Sequence, residues 1–313
     1  MGRANHSVVS ELILLGLSKS QNLHILFFLG FSVVYARIVL GSLLILVPVT
    51  FDSHLHTPMC FLLIDLSCID MSLASFTTPK MIVDFLQKQK TISWWGCYSQ
   101  MFFMHLLGGS EMMLLVAMAI DRYVAICKPL HYTTVMSPRV LVRLLLSSYA
   151  VEFVHSSSQT AFTLNLPFCG PSVVDSFFCD LPFVIKLACK DAYLLQLLVI
   201  ADSGLLSLVC FLLLLVSYMV IIYSVRHRRT ASGSAKAFST PSAHITVVTL
   251  SFVPCVFIYV WRFSQYSVNK ILSVFYMIFT PLLNPIIYTL RNQEVKAAMM
   301  KIRTRHINSK HTL

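Results

Sequence analysis

Charge is what this sequence has least of. Only 12% of its 313 residues are Asp, Glu, Lys or Arg, against about 25% in an ordinary soluble domain. A normal water-facing surface cannot be assembled from so few. The 57% hydrophobic content and mean hydropathy of +0.75 exclude disorder as well. Acids are the scarcer sign, with 13 Asp and Glu against 24 Lys and Arg and a net charge of +11. Cysteines at the CxxC spacing of zinc sites are missing. So is a nucleophile–base pair or metal triad at a shared depth, which argues against an enzyme. No internal repeat supports a transporter. The composition predicts a polytopic membrane bundle with very short loops, an all-α fold.

A membrane-spanning helix needs about 20 mostly apolar residues. Seven segments qualify, at 23–50, 58–86, 93–127, 139–163, 193–225, 237–261 and 268–290. This predicts an N-terminal segment at 1–22, a seven-helix domain at 23–290 and a C-terminal helix and tail at 291–313. Glu11 to Leu17 is apolar but too short to span, and it lacks the charged flank and cleavage site of a leader. The first span is expected to insert as a signal anchor. Met1-Gly2 does not complete a myristoylation motif, because His6 stands where Ser or Thr is needed.

Orientation follows from the basic residues. With the N-terminus outside, the inner side carries Arg122, Lys128, Arg139, Arg143, Arg226, Arg228, Arg229, Lys236, Arg291, Lys296, Lys301, Arg303, Arg305 and Lys310. The outer side carries Arg3, Lys19, Lys80, Lys88, Lys90, Lys186, Lys190, Arg262 and Lys270. Fourteen against nine favours N-out. Asn5-His6-Ser7 is then a sequon open to glycosylation. Residues 292 to 307 are basic with apolar interruptions and read as an amphipathic helix on the anionic inner leaflet of the lipid bilayer. The basic residues flank spans, so nucleic acid is not the expected partner.

Nine cysteines include Cys169, Cys179 and Cys189 in the loop at 165–191, with Cys97 opening the third span on the same side. Four outer cysteines allow three connectivities. Cys60, Cys68, Cys127, Cys210 and Cys255 read as small buried hydrophobes.

Two motifs carry more information. Asp121-Arg122-Tyr123 closes the third span, and Asn284-Pro285-x-x-Tyr288 lies in the seventh. Together with Cys97 they resemble rhodopsin-like G-protein-coupled receptors. Longer motifs narrow the resemblance: Leu55-His56-Thr57-Pro58-Met59, the run Met118 to Cys127, Ser217-Tyr218, Lys236 to Thr240 and Pro281 to Asn292. From about Glu11 to Met300 the chain resembles an olfactory receptor of the tetrapod type, and Phe252 to Tyr259 is similar to family 4 of that group.

The resemblance implies several roles. Cys97 would pair with Cys179, and Cys169 with Cys189. Asp121, Arg122, Tyr123, Tyr218, His244, Asn284, Pro285 and Tyr288 would form the switch to the G protein. An arginine at the inner edge is costly unless Asp121 or another partner satisfies it; a snorkelling interface arginine is the plainer alternative, and within the full motif the switch is the favoured reading. Asp70 and Asn284 would lie at a sodium-like pocket, with Glu111 as an extra ligand. Two intramembrane carboxylates cannot both ionise unpaired, so either one is protonated or a cation sits between them. No other cofactor or metal is expected.

The ligand pocket is expected among spans 3, 5, 6 and 7. Its candidates are Met104, His105, Gly108 and Gly109, then Asp202 and Ser203, then Phe252, Val256 and Tyr259, and Met277. For any single apolar member, helix packing is the simpler reading. His105 offers a hydrogen bond but has no second metal ligand at helical spacing. Asp202, if ionised, would favour a cationic or strongly donating ligand. The seventh span holds no Schiff-base lysine from Ile271 to Leu290, which excludes an opsin, and Met104 stands where a known amine receptor carries Asp. The expected function is therefore an odorant receptor for small volatile, mostly apolar molecules. It would couple to an olfactory stimulatory G protein at the plasma membrane, with trafficking chaperones as further partners.

Several residues depart from the family pattern: Arg37, Ser42, Cys60, Ile120, Glu152, Pro241 and Arg262. Arg37 is expected to pair with Asp65, because an unpaired charge costs about 2.5–3.5 kcal/mol on insertion scales. Pro241 would kink the sixth span near its inner end.

Overall fold

The computed structural model describes residues 11–17, 20–52, 55–168, 172–189, 193–227, 245–246, 248–249, 252–254, 257 and 266–291. Long helices dominate: α1 (Gln21–Phe51), α2 (Pro58–Asp84), α3 (Trp94–Cys127), α5 (Pro138–Leu164) and α7 (Tyr193–His227). Two short helices, α4 (Tyr132–Val135) and α6 (Leu181–Val184), sit in connections. The last span consists of α8 (Tyr266–Val274), a π-helical turn (Phe275–Phe279) and α9 (Thr280–Arg291). Five described stretches are long and apolar enough to cross a membrane: Leu23–Phe51, Pro58–Asp84, Trp94–Cys127, Ala201–Ser224 and Lys270–Ile287. α5 matches the expected fourth span but is more polar, carrying Arg139, Arg143, Glu152, His155 and five serines. Most of the sixth expected span, with Pro241 and Arg262, lies outside the described residues.

The helix starts follow local chemistry. Thr57 caps α2 by accepting from the Cys60 amide at 3.3 Å, and Pro58 begins the helix where its missing N–H costs nothing. Ser93 caps α3 by accepting from Gly96 N at 3.0 Å. Inside the spans, several hydroxyl groups find partners without leaving their own helix. Ser67, Thr77, Ser148, Thr163 and Ser207 each donate to the carbonyl four residues earlier. A hydroxyl in hydrocarbon would otherwise be left unsatisfied.

α3 is the central helix, packed against α2, α5 and α7, while α1 packs on α2 and α9. One apolar core joins Ile45, Leu62, Leu66, Leu114, Met118, Leu214 and Phe252. A second joins Ile38, Leu73, Met81, Met104, Phe178 and Met277. Outward-facing apolar residues such as Leu29, Val33, Leu40, Leu205, Leu212 and Val216 are exposed, as a lipid-facing surface requires.

A three-stranded sheet covers the end of the bundle where α3 begins. β1 (Glu11–Leu14) lies between β2 (Thr91–Ser93), antiparallel, and β3 (Val173–Val174), parallel. Leu12 and Leu14 point inward and are buried, whereas Glu11 and Ile13 face out. The short apolar stretch at Glu11 is thus a strand, because period-two burial uses its alternate leucines. Cys97 and Cys179 are disulfide-bonded with Cα atoms 5.3 Å apart, tying the loop after α5 to α3. Cys189 is also disulfide-bonded, and its expected partner Cys169 lies outside the described residues.

Candidate ligand-binding cleft and switch

Below the disulfide, a small cleft of about 70 Å³ opens between α3, α5, α7 and the last span. α3 contributes Met104, His105, Gly108, Glu111 and Met112 from one face, with Gly109 beside them. α5 adds Glu152 and His155, an i,i+3 pair on one face, and α7 adds Ser203, Leu206, Ser207 and Cys210. Leu73, Asp180, Tyr276 and Thr280 complete the wall. Asp180 follows the bridged Cys179, so the disulfide carries it to the cleft, where Tyr276 donates to its Oδ2 at 3.3 Å. The π-helical turn holds Tyr276 and ends at Thr280, so both reach the cleft from an irregular turn. Such turns often occur at functional sites.

Five sequence candidates line this cleft: Met104, His105, Gly108, Gly109 and Ser203. Three do not. Asp202 turns away from the cavity with its side chain 59% exposed, held by Gln159 at 2.8 Å. Phe252 is fully buried in the first core, 5.9 Å from the Phe211 ring, and Met277 is buried in the second. Both satisfy packing instead. Val256 and Tyr259 lie outside the described residues.

Glu152 departs from the family pattern in the sequence, and no motif there singles out His155. Glu152 is 1% exposed, and its Oε2 lies 3.5 Å from His155 Nδ1. The other ring nitrogen of His155 lies 3.4 Å from Asp202 Oδ2. The His105 ring is 6.4 Å from the His155 ring, while its Nδ1 donates to the Met101 carbonyl at 2.9 Å. The neighbour that His105 lacked at helical spacing is thus supplied by another helix. An acid inside a span was itself the available signal, since such groups mark functional sites by default.

Deeper in the bundle, Asn284 Nδ2 donates to Asp70 Oδ1 at 2.9 Å and to Glu111 Oε1 at 3.3 Å. All three side chains are buried. Asp70 Oδ2 makes no hydrogen bond among the described residues. This brings the expected trio together, and Glu111 also reaches the cleft.

At the far end of α3, Arg122 donates to Asp121 Oδ2 from Nε at 3.0 Å and from Nη2 at 2.6 Å. Tyr132 on α4 donates to Asp121 Oδ1 at 2.8 Å. Asp121 is fully buried, so both of its oxygens are satisfied by these donors. Tyr123 packs against the first core, and the buried Tyr218 hydroxyl makes no hydrogen bond among the described residues. Pro285 is buried within α9. His244 lies outside the described residues, as does the side chain of Tyr288.

The expected Arg37–Asp65 pair does not form. Arg37 is exposed on α1, and Asp65 accepts instead from the Tyr149 hydroxyl at 3.0 Å. Asp65 faces α5, and Arg37 faces the surface where lipid would lie. Ser42 is buried, and its hydroxyl makes no hydrogen bond among the described residues.

A bundle of membrane-length helices, with a cleft around its central helix and an Arg122–Asp121 ion pair at that helix's end, is the arrangement of a G-protein-coupled receptor. The chain belongs to the olfactory receptor family, whose family model, described as "Olfactory receptor", matches residues 31–306. Human Olfactory receptor 4K13 is 85% identical over 301 residues, covering 96% of this chain and 99% of that protein. Human Olfactory receptor 4K15 is 64% identical over 98% of this chain and 94% of its own length. Human Olfactory receptor 4K3 is 59% identical over 100% and 99%. The chain is thus a family 4 odorant receptor of the G-protein-coupled class and not an enzyme.

Proposed function

We propose that the cleft takes small, mostly apolar odorants and that their binding is relayed to a stimulatory G protein of the olfactory type, raising cAMP. One relationship carries this reading. The same helix, α3, lines the cleft from Met104 to Met112 and ends in the Arg122–Asp121 ion pair. A ligand with greater affinity for one arrangement of α3 and its neighbours shifts the population of the ion pair at the other end. Released from Asp121, Arg122 becomes available to the G protein, with Tyr123, Tyr218, His244, Asn284, Pro285 and Tyr288 as the other residues of the expected switch.

The receptor works at the plasma membrane with its N-terminus outside. Supporting this, the disulfide and β1 share one end of the bundle, as oxidising surroundings favour, and the Asn5 sequon precedes them. Trafficking chaperones are expected partners because Arg37 burdens membrane insertion. The amphipathic helix expected at residues 292 to 307 lies outside the described residues.

A sodium ion would lie beside Asp70. Its Oδ2 lacks a hydrogen bond among the described residues, and Glu111 supplies a second carboxylate nearby. Hard cations prefer such oxygen donors. The ion would neutralise the acids, while Asn284 orients both through its amide.

The test is cAMP in cells that co-express the chain with an olfactory G protein and a trafficking chaperone, across a broad odorant panel with surface staining. A response lost in Arg122→Ala is expected. Full surface staining with no response to any odorant would overturn the reading.

A further inference from the structure

We propose that the ligand class of this cleft is small protonated amines, with the ammonium seated on Glu152. The proposal rests on the reading of the cleft as the odorant site and adds the chemistry of its anchor. Three observations point to a cation. Glu152 is 1% exposed and lines the cavity, yet its Oε2 has no hydrogen-bond donor among the described residues. A buried carboxylate in that condition is costly until a donor arrives.

Next, Glu152, Glu111 and Asp180 all line the cleft, and no Lys or Arg does among the described lining residues. Two imidazoles, His105 and His155, face three carboxylates. Moreover, His155 is shared between Glu152 and Asp202, at 3.5 and 3.4 Å, so one imidazole faces two acids. A carboxylic acid ligand would add a further negative charge to this set. An ammonium brings three donors and a positive charge.

Finally, the carboxylate is held in place by shape. A Cβ at Gly109 would collide with both Glu152 oxygens, so the glycine creates the space in which the carboxylate lies against α3. The rest of the wall is suited to a hydrocarbon body: Leu73, Met104, Met112 and Leu206. The acid comes from α5, not from position 104, where the known amine receptors place theirs.

The experiment measures thermal unfolding of the purified full-length receptor in detergent, titrated with hexylamine, hexanol and hexanoic acid at pH 7. An alkylammonium resembles a lysine, with a pKa of about 10.4, and stays protonated there. A ligand that binds only the folded state raises Tm with its concentration. Hexylamine is expected to half-saturate at the lowest concentration of the three. In Glu152→Gln its half-saturation should rise by about 30-fold or more, the scale for removing one partner of a buried charge pair. Hexanol should be unaffected by that change.

If hexanol or hexanoic acid half-saturates wild type at or below the hexylamine concentration, the proposal is wrong. It is equally wrong if hexylamine gives no shift, or acts on Glu152→Gln as on wild type. Should Glu152→Gln fail to fold, the wild-type order of the three compounds decides alone. A cAMP response to alcohols without amine binding would sink the amine inference and leave the receptor reading intact. Amine-dependent stabilisation of a receptor that never signals would do the reverse.

Discussion

The carboxylate of Glu152 on α5 fills the space into which a side chain at Gly109 on α3 would project. α5 packs against the central helix α3, and the contact lies in the wall of the cleft. Gly109→Ala should therefore lower stability by about 1–3 kcal/mol through overpacking. Adding Glu152→Ala should recover most of that loss, because the colliding group is gone. A double-mutant cycle on Tm reads the coupling directly, and strict additivity would argue that the two residues do not touch.

Asp121 is held by Arg122 on one oxygen and Tyr132 on the other. Asp121→Asn removes the charge and should weaken the hold on Arg122 by about 1.5–3 kcal/mol. Basal cAMP is expected to rise at least about threefold at matched surface level. Tyr132→Phe should raise it less, since it removes one hydrogen bond and leaves the ion pair. Unchanged basal signalling in Asp121→Asn would count against the lock.

Arg37 presents a guanidinium on the exposed side of α1 and forms no ion pair among the described residues. Its insertion cost is about 2.5–3.5 kcal/mol on translocon scales. Arg37→Leu should therefore increase surface staining severalfold, with total protein little changed. Equal surface staining would mean that the arginine reaches an interface without penalty.

Asn284 donates to both Asp70 and Glu111. Asn284→Ala leaves two buried acids without that donor and should cost about 1–3 kcal/mol, read as a lower Tm. If sodium binds there, NaCl should raise wild-type Tm more than N-methylglucamine chloride does. Asp70→Asn should abolish the difference between the two salts, and a difference that persists would place the ion elsewhere.

The Cys97–Cys179 bond closes a loop across a sequence separation of 82 residues. Loss of a native disulfide typically costs about 2–5 kcal/mol. Cys97→Ser should detach the loop that carries Asp180 to Tyr276, and surface staining should fall sharply. Wild-type staining in the variant would show that the sheet holds the loop unaided.

The spans were legible because hydrocarbon imposes a length and a composition on any helix that crosses it. The switch and the Asp70–Asn284 contact were legible because long motifs carry their geometry with them. Contacts between helices were not. Asp202 looked like a pocket acid from its place in the fifth span, but it lies behind His155 and accepts from the buried Gln159 on α5. Arg37 and Asp65 looked like partners because both are charged and their helices are neighbours. In the bundle, Asp65 turns to Tyr149 on α5. Phe252 and Met277 looked like pocket residues and are core, since an apolar side chain satisfies either role and only packing chooses.

By itself, then, the sequence determined the membrane class, the expected seven spans, the family and the pairing of Arg122 with its neighbour Asp121. Each of these follows from local composition or from contiguous motifs. Tertiary structure alone decided that β1 is a strand in a cap over the bundle, and that Glu152 and His155 face the cleft beside His105. Those outcomes depend on helix rotation and on approach distances across the bundle. A side chain's partner on another helix is set by the summed packing of many residues, and no single stretch of chain encodes it.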